Sequence, residues 1–328
     1  MSDALPSLDD PAAPPAVRDE MAALRQALDA AVPRKRLLAR NLLVATWNLK
    51  DFGSLTEAWT AGARQSPKRD QRALWAITEI VSRFDIVALQ EVGGDLRALR
   101  TMMKTLGPGW RFLMSDVTRG DAGGGERMAF VFDSTRVAPS GLAGELVVPP
   151  EWQAEIGPAA MARQFARTPY AVSFQAGDAT LILVTLHVLY GDAPVERLPE
   201  LRAIARWMAD WAQQTNRWHH NLVVLGDFNI DRRDDALWQA FSASGLEVPP
   251  ALHAVPRSIF AAPGEAVPGK YYDQIAWFTQ GPRRLLDLRL QAAGSFDFVP
   301  HLYQDLAISR AQLQYRLSDH YPLWVEWV

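Results

Sequence analysis

Four apolar runs in the chain stop on side chains that can hold a metal ion, a water molecule or a proton. They are LLVATWN at Asn48, FDIVALQE at Gln90 and Glu91, LILVTLH at His187, and LVVLGDFN at Asp227 and Asn229. Two further runs begin on such residues: Asp273 stands at the head of YDQIAWF, and Ser318, Asp319 and His320 open SDHYPLWVEW. Singly, each has an ordinary explanation. Gly-Asp-Phe-Asn suits a tight turn, a histidine in an apolar strand is commonly a hydrogen-bonded core residue, Glu91 could pair with an arginine, and Asp319 could cap a turn. Jointly these explanations weaken, because carboxylates crowded at the edge of a core repel one another unless a cation or a protonated partner compensates them.

Carboxylate and amide oxygens without thiolates favour a hard divalent ion, Mg2+ with Mn2+ or Ca2+ also suited, over zinc. The chain has no cysteine, which excludes disulfides, a thiolate nucleophile, a Cys-held iron–sulfur cluster and a Cys-rich zinc site. Zinc stays open through His187 or His320, although the close spacing of His-Glu-x-x-His is missing. A hard ion neutralises phosphate oxygens while a neighbouring Asp or His orients water or protonates the departing oxygen. The natural substrate class is a phosphate ester. With 34 Lys and Arg against 37 Asp and Glu, the net charge is -3. No global basic field exists to draw in a polyanion, so a local basic patch or bound cations must offset substrate charge.

Elements must bring these distant residues together. In an all-parallel sheet the ends and beginnings of strands lie on opposite rims. If the strands opened by Asp273 and by Ser318 to His320 run antiparallel to the other four, all six ends meet on one rim. The pattern therefore requires a mixed or largely antiparallel sheet. Apolar runs bounded by turn residues predict strands at 42–47, 86–89, 111–114, 128–132, 171–174, 181–186, 222–225, 274–278 and 323–327. Helical spacing predicts helices at 68–84, 94–106, 194–214 and 234–244. The glycines from Asp121 to Gly125 read as a hairpin loop between two strands; without a following Gly-Lys-Ser/Thr they do not make a phosphate loop. Stretches 54–67, 149–169, 251–270 and 291–317 show no strand period and read as loops or insertions.

At 328 residues and 48% hydrophobic content, the chain can furnish a large core. Residues 1–14, rich in Pro, Ala and Asp, read as an extended, mobile leader. From Val17 onward, Met21, Leu24, Leu28 and Val32 fall on one helical face, which packs either on the domain or on a protein partner. Pro33-Arg34-Lys35-Arg36 then breaks the helix with a basic cluster, a solvated linker or a nucleic-acid contact. The organisation is thus a tail and amphipathic helix over 1–40 and a catalytic domain over 41–328. The acidic amino terminus lacks the charge and apolar stretch of a secretion signal, so a cytoplasmic location is expected. The most apolar stretch, 181–190, is interrupted by Thr185 and His187 and is far shorter than the roughly 20 residues of a membrane helix.

WN, QE, GDFN and SDH, in this order and strand context, resemble the endonuclease/exonuclease/phosphatase superfamily over Asn41 to Val328. GERMAFVFD with Glu126, RTPYAVSF with Arg167 and TLHVLYGDAPVERLPEL with His187 resemble its deoxyribonuclease I-like branch. The resemblance implies an α/β fold, a two-layer β-sandwich of mixed, largely antiparallel sheets flanked by helices. It implies that Asn48 and Glu91 hold the divalent ion, with Asp319 helping through a second position or through water. Asp227 would orient or deprotonate the attacking water, and Asn229 and Arg167 would contact phosphate oxygens. His187 steadied by Glu126 and His320 steadied by Asp273 would form two histidine–carboxylate pairs, in agreement with the effect of a carboxylate on imidazole basicity and tautomer.

Gln274 follows Asp273 where that branch commonly has Arg, which removes one phosphate contact. The 149–169 stretch and the amino-terminal helix have no counterpart in the pattern. The expected activity is a divalent-metal-dependent phosphodiesterase, a nuclease on DNA. A phosphatase or phosphodiesterase acting on a lipid headgroup, an inositol phosphate or a small nucleotide is the alternative, and a noncatalytic binding module the third. Trp207, Trp211 and Trp218 read as packing residues rather than stacking platforms, His219 and His220 carry no assigned role, and Lys270, Tyr271 and Tyr272 adjoin the cleft through Asp273.

Overall fold

The computed structural model describes residues 8–36, 40–118, 124–152, 164–215, 220–261, 270–285 and 287–328. β1 (Leu42–Phe52) sends alternate side chains into two different cores, the period of two that a strand imposes. Leu42 and Val44 enter the first core; Leu43, Ala45 and Trp47 enter the second. β2 (Ile86–Val92) and β4 (Arg127–Asp133) repeat the pattern, with Ile86, Ala88, Phe130 and Phe132 on the first side and Val87, Leu89, Ala129 and Val131 on the other. Away from their ends these strands are mostly apolar on both sides, because their sheet is covered on both faces.

With β3 (Trp110–Met114), β11 (Leu290–Ser295) and β12 (Leu323–Trp327), they form a six-stranded sheet ordered β11-β12-β1-β2-β4-β3. A second sheet joins β5 (Ala138–Glu145), β6 (Tyr170–Ala176), β7 (Ala179–His187), β8 (His220–Asp227), β9 (Leu246–Glu247) and β10 (Asp273–Phe278) in the order β5-β6-β7-β8-β10-β9. The first core lies between the sheets, where Phe174 meets Phe130 and Phe132 edge-on at centroid distances of 5.6 and 5.2 Å. The second core lies on the outer face of the first sheet, under α1 (Pro15–Ala31), α2 (Gln71–Val81) and α3 (Arg97–Leu106). α4 (Leu198–Thr215) packs Leu201, Ile204 and Met208 into the first core from the side of the second sheet. The architecture is the expected sandwich of two mixed sheets flanked by helices.

Strand direction places the chemistry. β1 and β2 run parallel, as do β7 and β8, while β12 runs antiparallel to β1 and β10 antiparallel to β8. The ends of four strands and the beginnings of two therefore share one end of the sandwich. Register aligns Asn48 with Gln90, His187 with Asp227, and Asp227 with Asp273. Gly226 is required where β7 and β8 meet: at φ 144, a Cβ there would stand 2.1 Å from the carbonyl oxygen of Leu186.

Several expectations need correction. Of the leader, residues 8–14 are described, and Leu8 and Ala13 are buried in the second core, so this part is packed and not a mobile tail. α1 buries Val17, Met21, Leu24 and Leu28 within the chain, and the apolar face that a partner helix would need is thereby occupied. In the basic cluster, Lys35 pairs with Asp133 at 3.0 Å and Arg36 with Glu326 at 2.7 Å, so these two cations serve the fold, while Arg34 stays exposed to solvent. β5, β9 and β11 were not foreseen. β5 is an exposed edge strand of small and polar residues, β9 has two residues, and β11 lies largely in the stretch 291–317 expected to be loop. Its small residues carry little apolar period. Residues 119–123 of the glycine loop, 153–163, 262–269, Trp218 and His219 lie outside the described residues. Among the described residues, no helix is long and apolar enough to cross a membrane.

Candidate active site

The shared end of the two sheets opens into a cavity of about 410 Å³, lined among others by Glu91, Arg167, His187, Asp227, Asn229, Asp319 and His320. Asp227, 2% exposed, sits at its centre. Its Oδ2 lies 3.6 Å from His187 Nε2 and 3.9 Å from His320 Nε2. Each imidazole is held from behind through Nδ1, His187 by Glu126 at 3.0 Å and His320 by Asp273 at 2.7 Å. A carboxylate on Nδ1 fixes the ring orientation and turns Nε2 toward the reaction centre. The five side chains thus make one line in which carboxylates and imidazoles alternate, Glu126–His187–Asp227–His320–Asp273.

Electrostatics follow from that alternation. Burial alone would raise Asp227, but the His320 and His187 imidazoles, with hydrogen bonds from Asn48 and the Asn229 backbone, hold its carboxyl below the ordinary range. Burial opposes charge on His320, yet Asp273 and Asp227 on either side push it up to about 10. Burial drives Asp273 upward, against the attraction of His320. Both partners of this pair shift upward, and the cationic imidazole between two anionic carboxylates is the state that the 2.7 Å bond and the neighbouring Asp227 favour. At Glu126 the burial penalty is outweighed by His187 and Arg167, which keep its carboxyl low.

Asn48 links the two sheets. Its Nδ2 donates to Glu91 Oε1 at 2.8 Å and to Asp227 Oδ2 at 3.0 Å, while its Oδ1 accepts from the Lys50 backbone N–H at 2.9 Å. Glu91 also accepts from the Asp51 N–H at 3.0 Å. Asp319 lines the same cavity with its carboxylate on Lys50 Nζ at 3.2 Å. Lys50, Asp51, Glu91 and Asn229 all have positive φ, between 43 and 59°. Such strained backbone clusters where a site must aim its groups. Asn229 uses one amide N–H on the Val188 carbonyl at 2.7 Å and keeps its second donor. Arg167 pairs with Glu126 through Nε at 2.6 Å and Nη2 at 3.1 Å; its buried Nη1 has no hydrogen-bond partner among the described residues.

A divalent ion of the Mg2+ kind needs hard oxygen ligands. Among the described residues, no group of three or more His, Asp or Glu side chains could by itself hold one. Glu91 and Asn48 offer a carboxylate and an amide at the cavity edge, a hard-oxygen pair of the kind Mg2+ takes while keeping several waters. Asn48 turns its nitrogen, not its oxygen, toward Glu91, so joining an ion's shell requires the amide to turn over. With that rotation the residues fit.

All ten residues singled out in the sequence thus gather at one end of the molecule, with Glu126 and Asp273 standing behind the histidines. Lys270 and Tyr272 line the cavity, whereas Tyr271 is buried with its hydroxyl donating to the His253 carbonyl at 2.7 Å. Gln274 is buried and donates to the Tyr271 carbonyl. Trp207 and Trp211 pack against the first core, as expected.

Three supporting residues have no role assigned from the sequence. Ser318 Oγ donates to the Asn48 carbonyl at 2.6 Å and accepts from the His320 N–H at 2.9 Å, joining two motif strands. The buried Glu200 accepts from Ala166 N at 2.6 Å and Leu189 N at 2.9 Å, holding together the loops that bear Arg167 and Tyr190. The buried guanidinium of Arg69 donates to carbonyls of Leu49, Lys50, Asp51, Arg316 and Leu317. Ser318 was visible as the first residue of SDH, and Glu200 lies within the quoted TLHVLYGDAPVERLPEL segment, but Arg69 had no motif to mark it.

The model of the Endonuclease/Exonuclease/phosphatase family matches residues 45–320. The chain is 28% identical over 209 residues to a protein named deoxyribonuclease from Thioalkalivibrio sp. (strain K90mix). That alignment covers 62% of this chain and 50% of the relative, so the chain spans about half the length of the curated relative it matches. An endonuclease/exonuclease/phosphatase family protein from Bacteroides thetaiotaomicron superposes with a TM-score of 0.58 at 17% identity, covering 88% of this chain and 97% of that one. A mannosyl-6-phosphatase from Bacteroides thetaiotaomicron VPI-5482 does so with a TM-score of 0.57 at 18% identity, covering 88% and 99%. At these identities the structural likeness concerns the fold.

Proposed function

We propose, for a chain that belongs to the Endonuclease/Exonuclease/phosphatase family, that its phosphoric ester hydrolase chemistry is a divalent-metal-dependent cleavage of phosphodiester bonds in DNA by in-line attack of water. The observation that carries this reading is Asp227, held between two imidazoles each backed by its own carboxylate. The deoxyribonuclease from Thioalkalivibrio supports DNA as the substrate.

Asp227 orients the attacking water and takes its proton, since its carboxyl is held in the ionised form. Asn229, through its second amide N–H, and Arg167, whose side chain lines the cavity, hold phosphate oxygens. His320 in its cationic form stabilises charge building on the phosphoryl group, and His187, steadied by Glu126, exchanges a proton with an oxygen at the phosphorus. Asn48 and Glu91 would hold Mg2+ or Mn2+, with Asp319 as a second or water-mediated ligand; when bound, the ion neutralises phosphate oxygens and lowers the barrier to attack. Carboxylate and amide oxygens suit a hard ion, and the reading is supported by Glu91 and Asp319 lining the same cavity as Arg167 and Asn229.

The test is incubation of purified protein with plasmid, linear duplex, single-stranded DNA and RNA, each with Mg2+ or Mn2+ and again with chelator. Nicking that chelator abolishes is expected, and His187→Ala or Asp227→Ala should remove it while the circular dichroism spectrum stays unchanged. Intact DNA across metals and pH refutes the nuclease reading. A second reading, a phosphatase or phosphodiesterase on a small phosphate ester, is favoured by the net charge of -3 and by the fold shared with a mannosyl-6-phosphatase. Binding that weakens steeply with salt marks a polyanionic substrate; a flat salt response marks a small one.

A further inference from the structure

Three Phe, Tyr or Trp side chains are exposed among the described residues: Tyr190 at 51%, Phe260 at 50% and Tyr315 at 58%. All three stand at the candidate site. Tyr190 and Phe260 line the cavity that holds Asp227 and Asn229, and the Tyr315 ring lies 5.9 Å from Lys50 Nζ, the partner of Asp319. Large apolar groups left in water and gathered at one place mark a surface that something covers.

The Tyr190 ring is held in place, and the backbone that carries Phe260 is braced on both sides. The buried guanidinium of Arg197 lies 4.4 Å from the Tyr190 ring, donates to the Tyr190 carbonyl at 2.6 Å and to the Asn229 carbonyl at 2.7 Å, and pairs with Asp231 at 2.9 Å. One cation thus fixes the ring relative to the residue assigned to phosphate. Tyr272 makes a T-shaped contact with Tyr190, the ring centroids 6.3 Å apart. On the other segment, the Ile259 N–H donates to the Asp319 carbonyl at 2.9 Å, and Arg310 Nη1 donates to the carbonyls of Ile259 and Ala261 at 2.6 and 3.1 Å, bracketing Phe260. Rings already ordered lose little freedom on binding.

We propose that Tyr190 and Phe260 form a stacking subsite for unpaired nucleobases beside the phosphate at Asp227 and Asn229, so that single-stranded or locally melted nucleic acid is preferred over intact duplex. This rests on the reading of the site as a phosphodiesterase. In a duplex the base faces are already stacked on their neighbours, whereas an unpaired base offers its π-face to a protein ring for about 1–3 kcal/mol. Such attraction needs no positive charge, which suits a chain with a net charge of -3.

The experiment measures fluorescence anisotropy of the full chain carrying Asp227→Asn, with Mg2+ present, on three labelled probes: oligothymidylate, an abasic strand of the same length, and the thymidylate paired to its complement. Oligothymidylate should bind about tenfold tighter than the abasic strand or more, and tighter than the duplex. Adding Tyr190→Ala or Phe260→Ala should weaken oligothymidylate about tenfold while the abasic strand changes by less than about twofold, and Tyr190→Phe should restore binding. The abasic strand keeps every sugar and phosphate. Equal binding of the two single strands, equal losses on both in the ring variants, or a duplex bound as tightly as the single strand overturns the subsite. If the unsubstituted chain leaves oligothymidylate uncleaved while this binding pattern holds, hydrolysis fails as a reading and the stacking subsite stands.

Discussion

Gln90 Nε2 crosses from the first sheet to the second and donates to Thr185 Oγ1 at 2.9 Å. The same amide exchanges hydrogen bonds with Thr46 at 3.0 and 3.3 Å, and all three residues are fully buried. This small polar bridge stands one residue before Glu91 and two before His187, directly behind the site. It ties the sheet that carries Asn48 and Glu91 to the sheet that carries His187 and Asp227. Because a buried polar group left without its partner costs about 1–3 kcal/mol, Gln90→Leu, which strands two threonine hydroxyls, should destabilise the fold by about that amount. The urea midpoint measures it, and the companion Gln90→Leu/Thr46→Val/Thr185→Val should recover most of the loss. A single variant as stable as the parent disproves the bridge.

Glu126 gives a pH signature. His187 and Arg167 overcome the burial penalty and keep its carboxyl below the ordinary value of 4.5. A group whose folded value is depressed binds fewer protons folded than unfolded, so its contribution to stability is complete above the unfolded value and fades as pH falls through the lower folded one. Glu126→Gln should therefore lose stability at neutral pH and show a shallower decline in melting temperature below about pH 4.5. Parallel melting curves for both proteins from neutral to acid pH contradict the assignment.

Much of this site was legible because most of its residues terminate or open an apolar run, and a run's end fixes where its side chain emerges; Glu126 and Arg167 were marked only by the family resemblance. LILVTLH and LVVLGDFN are such runs, and the parallel register of β7 with β8 sets His187 beside Asp227. What remained hidden has a common physical form. Arg69, Arg197 and Glu200 act through backbone atoms of distant loops, and carbonyl or N–H partners carry no residue type that a sequence reading can match. β11 was equally silent, since Ala292, Ala293 and Gly294 give no apolar period, and their smallness makes sense only beneath Trp324, whose ring a Cβ on Gly294 would meet at 2.8 Å. The packed leader was missed because Pro and Ala composition describes chain stiffness, not the apolar groove that Leu8 and Ala13 occupy.

Arg69 should prove essential to the site while touching none of its cavity. Its guanidinium gathers the carbonyls at the irregular end of β1 with those just before Ser318, and so sets Asn48 and Glu91 against Asp319 and His320. Lysine has a point charge where arginine has a planar fork, so Arg69→Lys satisfies only part of this set. A loss of about 3 kcal/mol or more is expected for Arg69→Met and a smaller one for Arg69→Lys, as for any broken buried network. Thermal unfolding gives the ranking, and equal melting temperatures for the three proteins reject the clamp.

The amino-terminal helix provides the last prediction, that residues 1–40 are not a detachable unit. α1 buries four apolar side chains in the second core, and Arg25 and Glu20 tie it to α2 through Glu79 and Arg72 at 2.5 Å each. Each apolar side chain fully withdrawn from water contributes about 1.5–3 kcal/mol, so removing residues 1–32 takes away several such contributions and exposes the core face of α2. The ion pairs add little where they reach solvent, but Arg72 is 3% exposed and would keep only Asp305 as an ion-pair partner among the described residues. The truncated chain should therefore aggregate or melt well below the full one, whereas the double substitution Met21→Ala/Leu24→Ala should lower the melting temperature without preventing folding. A truncated protein that stays monomeric in gel filtration with an unchanged melting temperature would establish that the helix is dispensable, and that the catalytic fold begins at β1.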